Sequence, residues 1–92
     1  MTIKQQIMRI MELSLLIDPP EVEDVGRGRP AVFVRWSPHC NCFNVDIHLD
    51  GWSEGDEPSF IWRVYTDCET ADRELAAIIF DLERIAKGVG VL

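Results

Sequence analysis

Between residues 43 and 49 the chain alternates without a break: Phe43, Val45, Ile47 and Leu49 are apolar, and Asn44, Asp46 and His48 between them are polar. A period of two marks a strand with one buried and one open face. Two flanking segments, AVFVRW at 31–36 and SFIWRVYT at 59–66, are likewise rich in β-branched and aromatic residues and bounded by turn formers. Their expected inward partners are Val32, Val34 and Trp36 on the first strand, and Phe60, Trp62 and Val64 on the third. Short connections make an antiparallel meander the simplest topology.

The pattern changes to helical spacing at both ends. Ile3, Ile7, Ile10, Met11 and Leu15 fall on one side of a helix over residues 2–17, which the pair Pro19–Pro20 ends. Leu75, Ile78, Ile79, Leu82, Ile85 and Ala86 form a stripe on a second helix over about 70–87. Asp67, Glu69, Asp72 and Glu74 crowd its start and Arg84 and Lys87 its last turn, as the helix dipole favours, with Gly88 as the stop. The fold class is therefore α+β: a single domain over 1–92, ordered α-β-β-β-α, with a three-stranded antiparallel meander and both helices on one face.

Composition supports this reading and narrows the function. Of the 92 residues, 47% are hydrophobic, enough for one core in a chain of this length. Sixteen acidic and nine basic side chains give a net charge of −7, which repels nucleic-acid backbones and anionic lipid at long range. Basic protein surfaces are the compatible partners. Three cysteines cannot all pair within one chain, and the apolar runs LSLLI and AAIIF fall far short of a membrane span. A soluble, cytoplasmic protein with reduced thiols is expected.

The meander gathers two sets of reactive residues at opposite ends of the sheet. At the end that holds the loop between the second and third strands stand Asp46, Asp50, Glu54, Asp56 and Glu57. The linker acids Glu21, Glu23 and Asp24 should lie nearby, relieved by Arg27 and Arg29. Eight carboxylates there suit a rim for a basic partner, with Trp52 as an aromatic anchor; the order of an EF-hand calcium loop is absent. At the other end His39, Cys40 and Cys42 share a tight turn, with Cys68 expected beside them. This is a possible Cys3His zinc or thiol site, though C-x-C beside a histidine is poor spacing for structural zinc. The main expectation is no metal and no cofactor.

The outward sheet face should show Phe33, Arg35, Asn44, Asp46, His48, Ile61, Arg63 and Tyr65. Arg35, Asp46 and Arg63 are placed to form a cross-strand charge set, and the aromatic residues have the composition of a binding patch or a homodimer face. No phosphate loop, G-x-S-x-G, H-E-x-x-H or dinucleotide fingerprint occurs, so no enzyme is expected.

Two resemblances bear on function. A helix, three strands and a helix in a small acidic chain resemble, in order and charge, some phage anti-CRISPR inhibitors. That likeness implies a protein of phage or mobile-element type that occupies a basic, nucleic-acid-binding groove of its partner. Separately, Arg27-Gly28-Arg29-Pro30 resembles the core of the AT-hook, which implies an arm in the minor groove of A·T-rich DNA. The acids before it and the strand directly after it oppose that use. The expected function is a small acidic, non-catalytic protein-binding module or inhibitor, with the zinc or thiol site and DNA binding as alternatives.

Overall fold

The computed structural model describes residues 1–20 and 29–92. Within it the elements follow in the order α1 (Ile3–Ile17), β1 (Ala31–Ser37), β2 (Cys42–His48), β3 (Phe60–Tyr65) and α2 (Ala71–Gly88), with a 3-10 turn at Pro38–Cys40. The strands form one antiparallel sheet in the order β1-β2-β3. Both helices lie on one face, α1 over β1 and α2 over β3, packed against each other above β2. The α+β meander expected from the alternation is the fold observed.

Register follows from which side chains must share a face. Val34 stands opposite Val45, and Val45 opposite Trp62; Trp36, Phe43 and Val64 form the next inward row. A slip of one residue would turn all of these to the other face, so the buried set holds the register. Phe43, Val45, Ile47 and Val64 are sealed by Ile10, Leu13 and Ile17 from α1 and by Leu75, Ile78 and Leu82 from α2. Burying a side chain of this size stabilises by about 1.5–3 kcal/mol.

Not every residue on the inward face is buried. Trp36 and Phe60, expected in the core, are half-exposed, and Leu49 falls just past the end of β2 in the open. The two helices cover the centre of the sheet, while Trp36 and Phe60 lie at its opposite corners on the two edge strands. Trp36 therefore lines an apolar recess of about 400 Å³ with Ile3, Ile7 and Met8.

The helix ends are closed by their own devices. Thr2 and Gln5 form a capping box: the Thr2 hydroxyl accepts the Gln5 N–H, and the Gln5 side chain accepts the Thr2 N–H. The motif is legible as T-x-x-Q at the start of the apolar pattern. Gly88, the expected stop, is instead the last helical residue of α2. The turn is made two residues on by Gly90, whose φ of 81° lies in the left-handed region. Gly90 N–H donates to the Lys87 carbonyl and Val91 N–H to that of Ala86, a Schellman closure.

At the C-terminus of α1, Arg29 donates from its guanidinium to the Ile17 carbonyl at 2.8 Å, and the Asp18 carboxylate accepts the Val32 N–H at 2.8 Å. Burial pushes the Asp18 carboxyl above its ordinary 3.8, opposed by the Val32 N–H and by the Arg29 charge. Arg29 was expected to offset Glu21, Glu23 and Asp24; those three and Arg27 lie outside the described residues. Its observed partner is a helix terminus, which carries a concentrated negative partial charge.

Candidate functional site

The connection between β2 and β3 is built from two consecutive turns. Gly51 N–H donates to the His48 carbonyl, and Asp56 N–H to that of Ser53, with Gly51 and Gly55 at φ of 94° and 86°. A side chain at either φ would be strained, so glycine suits both positions. Ser59 then clamps the base: its N–H donates to the Ile47 carbonyl and its hydroxyl accepts the Leu49 N–H. The Ser53 hydroxyl also donates to the Asp56 carboxylate. These bonds give the acidic loop a defined shape.

That shape carries the loop over the outward face of the sheet. Trp52 reaches Phe33 of β1, with ring centroids 6.5 Å apart and planes at 62°. Phe33 in turn meets His48 of β2 edge-on, at 5.5 Å and 77°. His48 was expected on an open face, and it does point outward, yet it is only 6% exposed. Its cross-strand neighbour is Ala31, whose small side chain leaves the space to bulkier ones. The Phe33 ring lies against this imidazole on the face away from the helices.

Under the loop lies a recess of about 510 Å³, bordered by Phe33, Arg35, Asp46, His48, Trp52 and Asp56. The acidic loop and the aromatic outer face, two separate candidates by sequence, are thus one continuous surface. Beyond the recess, Ile61 and Tyr65 extend the apolar part and stand exposed, as do Asp50, Glu54 and Glu57 along the loop. Arg35 and Arg63 flank Asn44 in one cross-strand row, and Asp46 sits one row away beside Phe33 and Ile61. The expected charge set is therefore a neighbourhood without bonding; the salt bridge found among the described residues joins Arg9 to Glu12 on α1.

At the opposite end the chain brings the expected pieces near one another without making a site. Thr66 N–H donates to the Asn41 carbonyl at 2.8 Å, which ties the exit of β3 to the β1–β2 turn. Asn41 takes a left-handed φ of 52° to close that turn. His39, Cys40 and Cys68 are exposed, whereas Cys42 is buried on the outward face, its thiol donating to the Asn44 side-chain oxygen at 3.1 Å. Among the described residues no group of three or more His, Cys, Asp or Glu side chains is placed to hold a metal ion, at this end or in the acidic loop. Of the four hook residues, Arg29 and Pro30 lie among the described ones, and Arg29 is bonded to the end of α1.

Comparison of the chain with protein-family models, with curated proteins and with solved structures returns no match. No helix among the described residues is long and apolar enough to cross a membrane.

Proposed function

We propose that this protein is a small acidic binding module without catalytic activity, which acts by occupying a basic surface of a partner protein. The observation that carries the reading is the surface where the acidic loop meets the outer sheet face. There Phe33, Trp52, Ile61 and Tyr65 stand exposed beside Asp46, Asp50, Glu54, Asp56 and Glu57, and neither helix covers them. Aromatic anchors within a charged rim are what protein interfaces use: the rings supply affinity, and the charge supplies approach and orientation. The net charge of −7 adds long-range steering towards basic grooves, including those that otherwise hold nucleic acid. The resemblance in order and charge to phage anti-CRISPR inhibitors agrees with that mode of action, and free thiols suit a cytoplasmic setting.

The test is an affinity capture from the native host, run in parallel with a variant in which Glu54, Asp56 and Glu57 are all changed to Lys. A genuine partner is retained by the wild type and lost from the variant, and its affinity falls steeply as salt is raised. It should also compete with nucleic acid for the same groove. A partner held equally by both proteins, or held with no dependence on salt, would sink the reading.

A further inference from the structure

Resting on the binding-module reading, a narrower chemistry belongs to the recess under the loop. We propose that it is a receptor for one guanidinium group, the side chain of an arginine on the partner's basic surface. Three independent features converge there.

The rings of Phe33 and Trp52, 6.5 Å apart with planes at 62°, form two walls of an open corner. A guanidinium is planar and weakly hydrated, so it stacks on an aromatic face at less cost than an ammonium. Asp46 and Asp56 border the same space, and neither is paired with a basic side chain among the described residues. The forked N–H groups of arginine match carboxylate oxygens in a way that a point-like ammonium does not.

His48 is the third feature. It borders the recess, is 6% exposed, and meets the Phe33 ring edge-on. A neutral imidazole nitrogen can accept a guanidinium N–H. Two carboxylates and an acceptor thus face one guanidinium already present, that of Arg35 at the border. Arg35 bonds to neither carboxylate, so it acts as a weak internal competitor.

The test uses Nα-acetyl-arginine amide, titrated into the ¹⁵N-labelled protein, beside its uncharged isostere Nα-acetyl-citrulline amide. The arginine compound should bind with affinity on the order of millimolar, as expected for one small contact. Its shifts should centre on the amides of Phe33, Asp46 and His48 and on the Trp52 indole, and the citrulline compound should leave these unmoved. Asp46→Asn with Asp56→Asn should weaken binding by about tenfold. Arg35→Gln should tighten it by about threefold by removing the competitor. Each variant's spectrum reports whether it is folded.

Equal shifts from citrulline, equal affinity for the lysine analogue, or weaker binding in Arg35→Gln would each overturn the proposal. The wider reading fails separately. An arginine-rich peptide that binds the wild type and the double Asn variant alike, and is released by salt, would remove the recess and leave the acidic module standing. Arginine amide seated in the recess of a protein whose captured partner ignores the Glu54, Asp56 and Glu57 changes would keep the recess and remove the module reading.

Discussion

On the helix-covered face of β2, Phe43, Val45 and Ile47 are each at most 1% exposed. On the other face, Asn44 and Asp46 stay half-open, and His48 is buried with the Phe33 ring against it. One backbone runs through both settings, so the difference lies in what covers each face. Whole helices seal the first; an eleven-residue connection at 49–59 and two aromatic rings partly shelter the second. A helix-sealed face cannot lose a side chain without leaving a void. A face sheltered by side chains can change with little loss to the fold, and this is where a binding surface can vary.

The sharpest way to break this contrast is to truncate one phenylalanine on each face. Phe43→Ala should cost about 3–5 kcal/mol in urea unfolding, a large share of the roughly 5–15 kcal/mol that holds a small domain together. Phe33→Ala, on the open face, should cost less than about 1 kcal/mol. Equal losses would mean that the loop side is core after all.

Cysteine labelling probes the same contrast from its exception, because Cys42 is buried although it points to the open face. Cys40 and Cys68 should react freely with a thiol reagent, and Cys42 slower by on the order of tenfold or more, limited by local opening. Three equal rates would show that this corner of the outer face is open like the rest. The helix layer itself can be loosened without touching the sheet. Thr2→Ala removes the capping hydroxyl of α1 and should cost about 1 kcal/mol, read as a lowered unfolding midpoint.

The smallest effect is expected at Asp18, where α1 meets the start of β1. Its carboxyl titrates above 3.8 in the folded protein, so folding binds a proton there more tightly than the unfolded chain does. The stabilising contribution is complete below the unfolded value and fades as pH rises through the folded one. Asp18→Asn keeps an oxygen for the Val32 N–H and does not titrate. Relative to that variant, the wild type should lose stability as pH climbs through this acid window and change little above it. The opposite slope would mean that the charge of Arg29 outweighs burial.

The strands were legible because their alternation is strong, and each observed strand begins and ends within one residue of its apolar run. The centre of the core was legible for the same reason. Its corners were not: Trp36 and Phe60 share the inward face, but periodicity carries no information on how far two helices reach across a sheet. The site was legible in its parts only. Phe33 and Trp52 stood out as candidates, yet their meeting depends on a loop path set by positive φ at Gly51 and Gly55 and by the Ser59 clamp. The helix closures were present as motifs, Thr2 with Gln5 and Gly90 after Lys87, and local pattern alone could have found them.

Arg29 bonded to Ile17, with Asp18 bonded to Val32, has a consequence in polymer terms. The two ends of the connection between α1 and β1 are held to each other by these bonds, which close the chain into a ring at its base. Lengthening such a ring costs entropy only logarithmically, about 0.6 kcal/mol for each doubling. Two bonds at its base therefore fix where α1 meets the edge strand more firmly than chain length alone would.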